Sequence, residues 1–341
     1  MIRFESDYLE GCHPEILKLL NETNLEQTIG YGEDEHCANA RKLIKSYCKD
    51  DILDVHFLTG GTQVNLTLIS AALRTHQGVI TAFTGHIFSH ETGAIEAVGH
   101  RLLPVTSPDG KITAAQIAEL CEAHYSDCNR VHTVQPGMVY ISNPTENGTI
   151  YQKNELVGIR NVCNQYNLLL YMDGARLGYG LMSDENDLTL EDISKLCDAF
   201  YIGGTKVGAL FGEALVIRND NLKRDFKYIQ KQHGGMLAKG RLLGIQFEVL
   251  FTNDLYFRIS KHTIQQANIL RDAFKNAGYR FFYKSPTNQL FPIIHNEKFE
   301  KLSEKYSFSF WGKVDETHSA VRFCTSWATK AEDIIALVAD I

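Results

Sequence analysis

Leu168-Leu-Leu-Tyr-Met-Asp-Gly-Ala-Arg176 is the stretch from which the fold is read. Leu168 to Met172 is apolar on both faces that a strand presents, which is the pattern of a strand buried in a parallel sheet. Its end delivers a carboxylate, Asp173, and a guanidinium, Arg176, and such charges require partners in a low dielectric. Two readings stay open: an Asp173–Arg176 ion pair that closes the strand, or a functional site at the edge of a sheet. Outward from this stretch, Val139-Tyr-Ile-Ser142 reads as a further strand, and Gln63 to Leu73 and Lys153 to Tyr166 read as helices. From roughly Leu53 to Ile217 short β-branched or aromatic runs alternate with amphipathic ones, the order of an α/β protein with a mainly parallel sheet. Chemistry is then expected at the carboxyl ends of the strands.

A second strand-like run, Ala199-Phe-Tyr-Ile-Gly-Gly-Thr-Lys206, delivers a lysine after two glycines and a threonine, so the chain turns sharply and presents the ammonium. Alone, Lys206 reads equally as a solvated loop residue. A strand-end Asp followed one β-α unit later by a strand-end Lys suits pyridoxal 5'-phosphate (PLP), whose aldehyde takes the amine and whose pyridinium nitrogen takes the carboxylate. Leu58-Thr-Gly-Gly-Thr-Gln-Val-Asn-Leu66 supplies a phosphate candidate: a strand end, two glycines and a helix from about Thr62. The plainer alternative is a Gly-rich turn with Thr62 as N-cap. Neither G-x-G-x-x-G nor the Walker lysine is present, which argues against nicotinamide and nucleoside triphosphate. In Gly85-His-Ile-Phe-Ser-His-Glu-Thr-Gly93 the His86/His90 pair lacks the H-E-x-x-H order, so no metal is expected. One imidazole is better used over a flat ring.

Beyond Gly244 the chain reads as an α+β unit: Ile259 to Asn276 as a helix ended by Gly278, Tyr279–Tyr283, Gln289–Ile294, Phe308–Trp311 and Val321–Cys324 as strands, Ala331–Asp340 as a final helix. The expected division is therefore 1–244, a large domain with an N-terminal segment, and 245–341, a small domain. With 34 Lys and Arg against 41 Asp and Glu, the net charge of −7 disfavours a nucleic-acid partner. No apolar run approaches the roughly 18 residues of a membrane span. The eight cysteines form no C-x-x-C pair, and free thiols in the reducing cytoplasm are the expectation.

Taken in order, Ser6-Asp7, Gly30-Tyr-Gly-Glu-Asp34, Thr59-Gly-Gly-Thr-Gln-Val-Asn65, His86 with Glu91, Asp173-Gly-Ala-Arg176, Gly204-Thr-Lys206 and Val321-Arg-Phe-Cys-Thr-Ser-Trp327 resemble the threonine aldolase and β-eliminating lyase family of PLP enzymes. The resemblance spans nearly the whole chain. It implies the aspartate-aminotransferase-like architecture, PLP fold type I, with a large domain and a smaller C-terminal one. It further implies that Lys206 carries the cofactor as a Schiff base, that Asp173 keeps the pyridine nitrogen protonated, and that His86 stacks on the ring. Gly61, Thr62 and Thr205 would hold the phosphate. Arg176, Arg322 and Ser6 would bind the substrate carboxylate. Tyr31 and the Lys231–Arg241 segment, with Lys239 and Arg241 toward the cofactor, resemble elements that reach a neighbouring subunit's active site.

One departure matters. In Ile141-Ser-Asn-Pro-Thr-Glu-Asn-Gly-Thr149, Glu146 stands where many threonine aldolases carry a histidine near the substrate hydroxyl. Glu146 is then the candidate general base, with a cap of the next turn as its alternative. The expected activity is cleavage of L-threonine or L-allo-threonine to glycine and an aldehyde by a homodimer or homotetramer with shared active sites. The rival is a β-eliminating lyase releasing ammonia and a keto acid.

Overall fold

The short apolar runs assemble side by side in a computed structural model that describes residues 1–341. Its strands are β1 (Ile2–Arg3), β2 (Asp54–Leu58), β3 (Gln77–Ala82), β4 (Arg101–Val105), β5 (Gln135–Ser142), β6 (Leu169–Asp173), β7 (Ala199–Gly203) and β8 (Glu213–Ile217), followed by β9 (Gln289–Leu290), β10 (Ile293–His295), β11 (Tyr306–Ser307), β12 (Ser309–Lys313) and β13 (His318–Cys324). Seven of them form the main sheet in the order β2-β8-β7-β6-β5-β3-β4. Only β8 runs antiparallel to its neighbours.

Both faces of this sheet are covered, which is why its strands lack polar alternation. Val139, Ile141, Leu170, Met172, Phe200 and Ile202 point into one core, whereas Met138, Tyr140, Tyr171, Ala199 and Tyr201 point into a second core on the opposite face. The helix expected over Lys153–Tyr166 has those bounds, closed by Gln152 and Glu155 at its start and by Asn167 in the left-handed region at its end. Gly244 lies inside the helix Arg241–Phe251. A Cβ there would come within 2.6 Å of the Cys37 backbone nitrogen, so glycine lets this helix press against Glu35–Cys48.

The C-terminal sheet is centred on β13, which pairs with β9, β10 and β12. Two expectations change here. Tyr279–Tyr283 is not a strand, since only Phe281 forms a bridge, to Pro292. Gln289–Ile294 is not continuous, because Phe291-Pro292 interrupts it and proline has no N–H for the ladder. The N-terminal segment also belongs with this unit: β1 pairs with β11, Cys324 N–H donates to Phe4 O at 2.7 Å, and Phe4 is buried in the C-terminal core. The chain's first residues therefore run along the unit formed by its last.

Candidate active site

The parallel strands all end at one edge of the main sheet. β2 delivers Thr59-Gly60-Gly61 there, β3 leads to His86, β5 to Ser142 and Glu146, β6 to Asp173 and Arg176, and β7 to Thr205 and Lys206. Because β8 runs the other way, it brings its first residue, Glu213, to the same edge. These residues line one cavity of about 340 Å³.

The helix Gly61–Ala72 begins at this cavity. Its N-cap is Gly60, which offers no side chain, and its first backbone bond is Val64 N–H to Gly60 O. Thr62 lies within the helix, so the reading of Thr62 as N-cap is corrected, and the free N–H groups of the first turn remain for an anion. A Cβ on Gly61 would sit 2.9 Å from Tyr201 Oη, so the backbone lies directly on that hydroxyl.

Asp173 is 4% exposed and accepts four hydrogen bonds from the protein. Oδ1 accepts from Tyr201 Oη at 2.5 Å and Ala175 N–H at 3.0 Å, and Oδ2 from Tyr140 Oη at 2.6 Å and Asn65 Nδ2 at 3.3 Å. Asn65 Nδ2 also reaches Glu91, whose Oε1 meets His86 Nδ1 at 2.7 Å. Burial works against a charged His86 ring, but the Glu91 hydrogen bond and the Asp173 and Glu91 charges raise its pKa. With Nδ1 on Glu91, the Nε2 atom of His86 is left for a ligand.

Arg176 does not pair with Asp173, which corrects that reading. Its Nε and Nη2 donate to the two oxygens of Asp7 at 2.6 and 3.0 Å, and Asn288 Nδ2 adds a third donor to Asp7 at 2.9 Å. Burial pushes the Asp7 carboxyl up, yet Arg176 and Lys206 bring it below its ordinary value. Lys206 is held below the usual lysine range, by burial first and by Arg176 second, which makes its amine a better nucleophile. Glu146 Oε1 accepts from His86 N–H at 2.9 Å and from Ser142 Oγ at 2.7 Å. Burial and the Asp173 charge raise its pKa. Thr205 Oγ donates to Glu213 at 2.8 Å and accepts Gly212 N–H at 3.0 Å, so its proton is already engaged.

The cavity wall thus gathers Gly61, Thr62, His86, Glu146, Asp173, Arg176, Thr205 and Lys206. It does not include Ser6, Tyr31, Lys239, Arg241 or Arg322. Ser6 is buried, and Arg322 donates to Glu5 O at 3.0 Å with its Cζ 5.3 Å from the Trp311 ring centroid. Tyr31 is half exposed beneath Lys231, and Arg241 is tied to Thr23 O and Asn24 O. Asn65, Tyr140, Tyr201 and Glu213 were not singled out from sequence. Tyr140 and Tyr201 look like ordinary core aromatics in buried strands, whereas the strand-end position of Glu213, opposite the lysine turn, was a usable signal.

Comparison with known proteins is consistent with this geometry. The family model described as Beta-eliminating lyase matches residues 4–297. A Pseudomonas sp. protein named low specificity L-threonine aldolase is 30% identical over 99% of this chain and 96% of its own length. The solved structure of Leishmania major threonine aldolase is 44% identical, covers 99% of this chain and 98% of its own, and superposes with a TM-score of 0.97. A Thermus thermophilus aspartate aminotransferase shares the fold, at 11% identity and a TM-score of 0.69 over 100% of this chain and 90% of its own.

Proposed function

The chain belongs to the β-eliminating lyase family, and from that premise we propose that it is a PLP-dependent aldolase cleaving L-threonine, L-allo-threonine and related β-hydroxy-α-amino acids to glycine and an aldehyde. The observation that carries this reading is the meeting, in one cavity, of Lys206, Asp173 and an uncapped helix N-terminus. An amine, a carboxylate and an anion cradle match the aldehyde, ring nitrogen and phosphate of this cofactor. When bound, the cofactor supplies an electron sink for the carbanion left at Cα.

Lys206 would hold the cofactor through its amine, Asp173 would keep the proton on the ring nitrogen, Gly61 and Thr62 would face the phosphate beside Thr205, and His86 would pack against the ring. Arg176, Arg322 and Ser6 bind the substrate carboxylate. Ser6 Oγ and Arg322 Nε are buried donors without a partner, the state that an incoming carboxylate relieves. This clamp orients the substrate so that the Cα–Cβ bond is the one that breaks. Glu146 is the base: with Oε1 engaged by two donors, Oε2 takes the β-hydroxyl proton, and burial and the Asp173 charge, which raise its pKa, make it the stronger proton acceptor.

Tyr31 and Lys239 reach a neighbouring subunit's site in a homodimer or homotetramer, Arg241 anchors that segment through Thr23 O and Asn24 O, and the exposed Leu25, Ile29, Tyr31 and Tyr228 offer apolar surface for the contact. The protein works in the cytoplasm, where its eight free cysteines, all but Cys128 buried, stay reduced. No helix is long and apolar enough to cross a membrane.

Incubation with L-threonine, L-allo-threonine and L-serine in separate reactions tests the activity. Glycine and acetaldehyde in equal amounts are expected from the first two. Ammonia and a keto acid with no glycine would move the protein to the eliminating lyases. Glu146→Gln should lower kcat on β-hydroxy amino acids by about 100-fold or more while KM changes little. Unchanged turnover would remove Glu146 as the base.

A further inference from the structure

Glu213 is a buried carboxyl, 4% exposed, that the chemistry above does not use. It opens β8 directly across from Gly203, the last residue of the strand that leads to Lys206. Its Oε2 accepts Gly204 N–H at 3.0 Å and its Oε1 accepts Thr205 Oγ–H at 2.8 Å. The same turn is closed by Gly204 and Thr205 N–H groups donating to Gly212 O, each at 3.1 Å. The carboxyl is thus bonded to the two residues immediately before the lysine, and it lines the same cavity.

We propose that Glu213 is a positioning residue for Lys206: its oxygens fix the Gly204–Thr205 turn from which the lysine projects, and its charge sets how tightly the lysine nitrogen holds a proton.

The electrostatics around Glu213 support this. The titratable groups facing it are Lys206 and Asp173, with Tyr171, Tyr201 and Tyr256. Burial holds the three tyrosines neutral, so the charges that matter are Lys206 and Asp173. Burial pushes the Glu213 carboxyl up to about 7, against the opposing pull of Thr205 and Lys206. Its charge therefore changes in the range where an amine must lose a proton to attack a carbonyl. Ionised Glu213 favours the protonated nitrogen, and neutral Glu213 releases it.

This inference rests on the reading that Lys206 holds the cofactor, and the test separates the two. Borohydride reduction of the loaded enzyme, followed by peptide mapping, locates the modified lysine. A modified residue other than Lys206 would sink that reading as a whole. With Lys206 identified, the visible absorption of the loaded protein is titrated with pH in wild type and Glu213→Gln. Glutamine keeps the shape and an acceptor for the turn but not the charge. The midpoint should fall by about 1 unit or more, the scale of one lost neighbouring charge. Cofactor affinity, measured in parallel, should become less dependent on pH. A midpoint equal to that of wild type would overturn the inference and leave Glu213 a clamp only. Should Glu213→Gln fail to fold, the infrared carboxyl band of a Glu146→Gln protein, in which Glu213 is the remaining raised carboxyl, should titrate near neutral pH. No such band would be equally fatal.

Discussion

Lys206→Ala leaves a protein that folds but shows no visible absorption from added PLP and turns over β-hydroxy amino acids at least about 10⁴-fold more slowly. Removing the amine removes the only nitrogen nucleophile on the cavity wall whose pKa burial holds below its ordinary value. Folding should survive, because alanine leaves intact the backbone bonds that close the turn: Gly204 and Thr205 to Gly212 O, and Tyr179 Oη to Lys206 O. Lys206→Arg is the sharper companion. It keeps a cation beside Asp7 and Asp173 but no condensable amine, and the same loss is expected. Activity retained by either variant, measured as glycine release, would refute the assignment of Lys206.

The second large effect is on stability. Asp7→Asn should destabilise the protein by about 3–5 kcal/mol, the scale for removing one partner of a buried ion pair. The Asp7 side chain is fully buried and that of Arg176 is 12% exposed, so water cannot replace the lost charge. A double-mutant cycle with Arg176→Gln should recover part of the loss, because the unpaired guanidinium is removed with its partner. A denaturant midpoint unchanged in Asp7→Asn would show that the pair contributes nothing net. The pH dependence follows from the lowered Asp7 pKa. The folded value lies below the unfolded one of about 3.9, so the contribution is fully present above that pH and is lost as pH falls through the folded value. Asp7→Asn should therefore flatten the acid limb of the stability curve as well as lower its plateau.

Much of this site is legible in the chain because strand ends are legible. Asp173 and Lys206 follow runs that are apolar at every position, and in a parallel sheet such runs end at a common edge, which is where the structure brings the two residues together. The partner of Arg176 was not legible, since Asp7 lies 169 residues away and only tertiary packing joins them. Nor was the tyrosine cage around Asp173: strand periodicity says that Tyr140 and Tyr201 face one core, not that their hydroxyls reach one carboxylate. The C-terminal strands were harder still. They are short, and a single Pro292 divided what periodicity had read as one.

The route of the N-terminal segment along the C-terminal unit has a consequence for synthesis. Glu5 O meets Arg322 across 317 residues of chain, and Asp7 is packed by Asn288. At about 5–20 residues per second, a ribosome takes on the order of tens of seconds to make that span. In the later part of this interval Arg176 is finished but the last wall around Asp7 is not, so the pair is not yet dry. A truncated or stalled product thus carries Lys206, the open helix start at Gly61 and the main sheet without the packed Asp7–Arg176 pair. The dry packing of this pair is therefore completed only as the C-terminal unit is made.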